Sequence, residues 1–243
     1  MSTVVMSIDW TIYRGDLFHA LIKTLEYTVL GFTGAVVLGL VLALMRTSPL
    51  WIVRFPAAVY TELFKNIPLL AIIFVTYFGL ASQGIRLDAL MAGSLSLVIF
   101  YAAYLSEIFR AALGGVPPGQ QEGAQALGMS RIGCFRLVIV PQALRLALPG
   151  TSTMLVDLLK STSLLVTIAA GELMTQAQLI ASETFQALNV YVVIAAIYFA
   201  VCYPLSQLLL FLERRVRAGT PLTPWRRRRV AKAKALLAVS VIS

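Results

Sequence analysis

The 243-residue chain is 59% hydrophobic and 13% charged, a balance too apolar for a soluble single domain and suited to a bilayer. Its net charge of +9 sits at one end: residues 1–213 carry 11 basic and 11 acidic side chains, and the nine basic residues that follow supply the excess. One histidine, two cysteines and no nucleophile or metal-ligand pattern argue against a membrane-embedded enzyme, and a basic tail in this setting fits anionic lipid, not nucleic acid.

A helix needs about 20 mostly apolar residues to cross a hydrocarbon core of roughly 30 Å. Windows of that kind predict five spans, at about 20–46, 57–81, 88–110, 148–173 and 188–213, and so an all-α membrane protein. Ahead of them, residues 1–19 lack a basic start and a continuous apolar stretch, so the spans themselves are expected to direct insertion. Trp10, Tyr13 and Phe18 suit a helix lying at the membrane surface, with a loosely ordered tail as the alternative.

In the first span, Gly31, Gly34, Ala35 and Gly39 fit close helix packing in lipid. The second is mixed, with Glu62, Lys65 and Asn66 ahead of its apolar run. Charges at membrane depth are costly and often mark a pathway, so Glu62 and Lys65 are candidate pathway residues. Glu107 and Arg110 end the third span and read as a structural or gating pair.

The connection at about 114–145 is the most structured of the loops. Pro117, Pro118 and Gly119 stop the preceding helix, Gln120 to Leu127 allow two helical turns, and Gly128 can end them in the left-handed geometry. Ser130 can cap a second short helix, which Pro141 is expected to stop. A helix, a sharp bend and another helix would project from the bilayer as a knob suited to a partner's groove. A packed loop is the plainer reading.

In the fourth span Asp157, Lys160 and Ser161 share a face at offsets of three and four, and Thr153 extends it by a turn. Such a stripe offers an acceptor for an ammonium and a donor for a carboxylate. The plainer reading pairs Asp157 with Lys160, and Glu62 with Lys65, as intrahelical ion pairs. Glu172 falls near that span's outer end. Cys134 and Cys202 lie at different predicted depths, which disfavours a disulfide.

Arg46, Arg54, Arg110, Arg131, Arg136, Arg145 and the tail fall on one side of a five-span layout, against Arg14, Lys23 and Arg86 on the other. The N-terminus is therefore expected outside and the C-terminus in the cytoplasm. The tail, 218–243, holds Arg226 to Arg229, and its apolar stretch Ala235 to Ile242 is too short to cross.

Glu122-Gly-Ala, then Gly128, then Ile139-Val-Pro141 resembles the permease loop of ABC importers: Glu-Ala-Ala, three residues, Gly, nine residues, then an apolar residue two before Pro. Gly123 stands in place of the first alanine. The likeness extends to the polar amino acid subfamily, the histidine/glutamine/arginine type, through Ala103-Tyr-Leu-Ser-Glu-Ile-Phe-Arg110, Gly119-Gln120, Pro141-Gln-Ala-Leu-Arg145, Leu158-Leu-Lys-Ser-Thr-Ser-Leu164 and Leu212-Glu-Arg214. Two departures, Lys65-Asn-Ile-Pro68 for Arg-Gly-Thr-Pro and Lys160-Ser-Thr-Ser163 for Lys-Asp-Thr-Ser, lie where solute would pass.

This resemblance implies a type I ABC importer permease fold with a cytoplasmic coupling helix, carried by Glu122, Gly123, Ala124, Ala126, Leu127, Gly128 and Arg131. It also implies a bacterial inner-membrane assembly: two ATP-binding subunits holding ATP and Mg, a second permease subunit, identical or paralogous, and a periplasmic or extracellular solute-binding protein. No Gly-Lys-Ser or Gly-Lys-Thr follows a glycine-rich loop, so this chain is expected to bind no nucleotide in the Walker manner. The implied solute is a polar amino acid, with an opine or cystine as the alternative and a stand-alone channel as the rival class.

Overall fold

A computed structural model describes residues 8–218, and the expected basic tail lies outside them apart from its first residue. Helix α1 runs unbroken over Trp10–Arg46, capped by the Asp9 carboxylate, which accepts from the Thr11 amide at 3.0 Å. No proline falls within it, so the described part of the segment expected at 1–19 is not a separate element but the first turns of the first span. At 1.5 Å per residue the helix is about 55 Å long, well beyond a hydrocarbon core of roughly 30 Å, so it must tilt or project from the bilayer.

The apolar window expected at 57–81 is two helices, α2 (Trp51–Lys65) and α3 (Leu69–Ser82), bent by 107°. The break is local chemistry. The Asn66 side-chain amide donates to the Glu62 carbonyl at 2.7 Å and closes α2, and Pro68 caps α3 while holding Ile67 away from helical geometry. Four helices among the described residues are long and apolar enough to cross, and the bent pair makes five if it counts as one broken span.

Helix α4 (Ala89–Gly114), capped by Asp88 at 2.7 Å, is the central post, with Ala92, Leu97, Tyr101, Ala102, Ala103 and Leu105 all buried. Helix α1 lies against it along Gly31, Ala35, Gly39 and Ala43, a stripe at every fourth residue. A Cβ on Gly39 would meet the Leu105 Cβ at 2.9 Å and the Ala102 carbonyl at 3.2 Å, so only glycine permits this approach.

Beyond α5 (Pro118–Ala126), helix α6 starts at Arg131 and continues to Ile168, so the fourth span begins well before residue 148. Pro141 does not end the short helix. A widened π turn at Phe135–Ile139 stands immediately ahead of it and takes up the missing N–H, a common way for a helix to pass a proline. At its far end α6 tightens into a 3₁₀ stretch, Thr162–Ile168, and turns at Ala169 (φ 52) and Gly171 (φ 68).

Helix α7 (Leu173–Thr184) was not anticipated. Its N-cap is Glu172, fully buried, whose carboxylate accepts from the Met174 and Thr175 amides at 2.8 Å each and from the Tyr198 hydroxyl at 3.0 Å. Glu172 is thus a cap and not an end-of-span charge. Its burial pushes the carboxyl above the usual range, opposed by these donors. The last helix, α8 (Ala187–Ala218), packs with α7 and the start of α1 around Ala20, Leu173, Ala177, Ile180, Val190 and Ile194. The main core joins α1, α3, α4 and α6 around Tyr27, Ile73, Leu97, Tyr101, Leu105, Leu158 and Leu165.

Candidate functional site

Two features carry chemistry. The first is the knob. Helix α5 opens with Pro118 at its first position, where the missing N–H costs nothing. It closes in a Schellman motif: the Gly128 amide donates to the Gln125 carbonyl at 2.9 Å, the Met129 amide to the Ala124 carbonyl at 3.1 Å, and Gly128 takes φ +79. Ser130 then caps α6, its hydroxyl accepting from the Gly133 amide at 3.1 Å. The Gln142 side chain donates to the Gln120 side-chain oxygen at 3.1 Å and to the Val138 carbonyl at 2.9 Å, tying knob to span.

Ala124 seats the knob on the body while Glu122, Gly123, Ala126, Leu127, Gly128 and Arg131 all face outward, Leu127 with 86% of its surface exposed. Glu122 makes no side-chain hydrogen bond or ion pair among the described residues. Leu127 and Ile132, apolar and exposed on a rigid projection, have the form of a surface made to be covered.

The second feature is a cleft of about 270 Å³ between α6 and α8, lined by Ser152, Thr153, Val156, Asp157, Lys160, Ser206, Leu209, Leu210 and Glu213. Asp157 is not paired with Lys160. Its Oδ2 instead accepts from the Tyr101 hydroxyl on α4 at 2.8 Å, and the same hydroxyl meets the Ser161 hydroxyl at 2.7 Å. The Lys160 ammonium has no hydrogen-bond or ion-pair partner among the described residues. It also borders a second cleft, of about 300 Å³, with Ser163, Met174, Tyr191 and Tyr198. The Ser152 hydroxyl is buried without a hydrogen-bond partner among the described residues. One wall thus holds a fixed carboxylate, an uncommitted ammonium and an unpaired hydroxyl.

The remaining candidates lie elsewhere. Glu62 and Lys65 form an exposed pair at 3.0 Å at the end of α2, and neither lines the cleft. This is the intrahelical ion pair of the plainer reading, of a kind worth little in stability. Glu107 is held from two sides, by Arg110 on its own helix and by Arg46 from the end of α1. Reading the sequence assigned no site role to Tyr101, Arg46, Ser152, Ser206 or Glu213. Ser152 was within reach, since Ser152, Val156 and Lys160 recur at every fourth residue; the others come from distant helices.

Residues 35–218, three quarters of the chain, match the family described as binding-protein-dependent transport system inner membrane component. The chain belongs to this family. Among its relatives, the glutamine transport system permease protein of Escherichia coli (strain K12) is 35% identical over 217 residues, covering 87% of this chain and 99% of that one. The octopine transport system permease protein of Rhizobium meliloti is 37% identical over 198 residues, covering 78% and 81%. Among solved structures, a crystal structure of an amino acid ABC transporter with histidines superposes with a TM-score of 0.80 at 36% identity, covering 86% of this permease and all of that chain.

Proposed function

We propose that this permease pairs with a second permease subunit, identical or paralogous, to form the inner-membrane path for a polar amino acid, and that the Asp157–Lys160 wall is where the solute rests. The observation that carries the reading is the unpaired Lys160 ammonium beside a carboxylate already oriented by Tyr101. A zwitterion brings an ammonium for the free side of Asp157 and a carboxylate for Lys160, and a hydroxyl such as that of Ser152 can take a further polar group. The similarity to the octopine permease supports a second reading, in which the solute is an opine and presents the same zwitterionic head.

ATP and Mg²⁺ are bound by two partner subunits docked on α5, and an outer solute-binding protein delivers the cargo. The N-terminus lies outside and the C-terminus in the cytoplasm, consistent with Arg46, Arg54 and Arg110 gathering at the end of the bundle nearest the knob. Closure of the ATPase pair moves the knob, and the bound nucleotide shifts the population from inward-facing to outward-facing. The test is uptake by the complete transporter in proteoliposomes. Glu122→Lys or Gly128→Asp should leave ATP binding intact but abolish ATP-driven uptake; normal uptake in both would refute the docking assignment.

A further inference from the structure

At the opposite end of α4 from Asp88, three guanidinium groups converge. A cavity of about 450 Å³ is lined by Arg46 from the end of α1, Trp51, Arg54, Phe55 and Ala58 from α2, and Arg110 from α4. Arg46 and Arg110 each give one terminal nitrogen to Glu107. A guanidinium has five N–H donors, so both keep most of theirs, and the Arg110 Nε is buried with no partner among the described residues. Arg54 has no hydrogen-bond or ion-pair partner among the described residues. With Glu107 as the one carboxylate engaged among the described residues, the cluster carries an excess of two positive charges, so it attracts an anion.

What surrounds the cavity selects the kind of anion. Trp51, Ile52 and Phe55 are 67%, 70% and 62% exposed, on the first turns of a helix that begins where α1 ends. Exposed tryptophan and phenylalanine beside arginines are the pattern of a membrane interface, where rings sit at headgroup level and cations meet phosphate. The planar fork of arginine matches phosphate oxygens in pairs, which a lysine cannot do. A free phosphate would use the cations and leave the apolar rim exposed to water.

We infer that the Arg46–Arg54–Arg110 cavity is a binding site for the phosphate headgroup of an anionic phospholipid of the inner leaflet, with Trp51 and Phe55 against its glycerol and upper acyl region. The site would fasten the α1–α2 corner to the membrane surface. This assignment rests on the orientation proposed above, but its test does not depend on transport.

The experiment is native mass spectrometry of the complete transporter, full-length chain with its partner subunits, released from nanodiscs of phosphatidylglycerol or of phosphatidylcholine. The wild type should retain phosphatidylglycerol and not phosphatidylcholine. Arg54 is exposed, so Arg54→Gln should fold normally and lower phosphatidylglycerol retention about fivefold. Arg136→Gln, an exposed cation outside the cavity, should retain lipid as the wild type does. Equal retention by Arg54→Gln and wild type, equal retention of the two lipids, or loss of phosphatidylglycerol to millimolar inorganic phosphate would each overturn the inference, the last by assigning the site to a soluble anion.

Discussion

Replacing Lys160 with glutamine separates a solute contact from a structural ion pair. Were Lys160 bonded to Asp157, its removal would strand a carboxylate in a low-dielectric wall and destabilise the protein. Asp157 is instead satisfied by Tyr101 at 2.8 Å, and Lys160 is exposed and unpaired. Lys160→Gln should therefore change stability by no more than about 0.5 kcal/mol, as for a surface substitution away from special features. A solute carboxylate losing a charged donor forfeits about 2 kcal/mol, and at about 1.4 kcal/mol per tenfold the KM for uptake should rise roughly 30-fold. Asp157→Ala should behave differently. It takes one of two partners from the buried Tyr101 hydroxyl, so stability should fall by about 1–2 kcal/mol as well. The assay is thermal unfolding of the purified complex beside uptake kinetics in proteoliposomes. Unchanged KM in Lys160→Gln, or a loss of stability equal to that of Asp157→Ala, would refute the reasoning.

Gly39→Val forces a side chain to within contact of the α4 backbone, and overpacking of this kind should cost about 1–3 kcal/mol, read as a lowered Tm and a reduced yield of assembled complex. Gly123→Ala, with nothing within 4 Å of the new methyl, should firm the knob by up to about 1 kcal/mol and leave coupling intact, measured as the ratio of uptake to ATP hydrolysis. Gly128→Ala places a Cβ at φ +79 and should weaken the Schellman end by about 1 kcal/mol, with faster hydrogen exchange at Met129 as the readout. Glu172 titrates above its unfolded value, so between the ordinary carboxyl range and its raised folded value the native state holds the extra proton. Stability should fall as pH rises through that window, and Glu172→Gln should flatten the slope in a Tm-against-pH series.

The knob was legible because its signals are local. Gly128 and Ser130 dictate a left-handed stop and a new cap within three residues, and each performs that role. Pro118 and Gly119, expected to stop the preceding helix, are instead the first residues of α5, that helix having ended at Gly114. Existence of the spans was legible from apolar length, but their edges were not. Hydropathy does not register a proline that bends a chain by 107° at Pro68, nor a π turn that lets α6 pass Pro141. Helix α7 escaped because half its face is polar and because its cap is a glutamate, a residue outside the serine, threonine, aspartate and asparagine set that marks a helix start. The Asp157–Tyr101 bond was out of reach altogether: sequence offsets order residues along one helix and cannot name the neighbour on another.

The continuity of α6 links the two functional features. One helix begins at the Ser130 cap beside the knob and carries Asp157 and Lys160 on the cleft wall, a distance of about 39 Å from Arg131 to Asp157 at 1.5 Å per residue. Force applied at α5 enters this helix directly, through the Gln142–Gln120 bond and the tight Gly128–Ser130 turn. Among the described residues, α6 has two weak points ahead of the cleft, the widened turn at Phe135–Ile139 beside Pro141 and the interior Pro149, each proline lacking a helical N–H. Beyond them the stretch bearing Asp157 is tied to α4 through Tyr101, so knob motion carried along α6 reaches α4 together with the cleft wall. Deleting one residue from the regular helix between the widened turn and the cleft, such as the exposed Leu144, would rotate every downstream side chain by about 100° relative to the knob and pull Asp157 off Tyr101, so such a variant should lose uptake even with the knob intact. A variant that kept transport would show that α6 does not work as one piece.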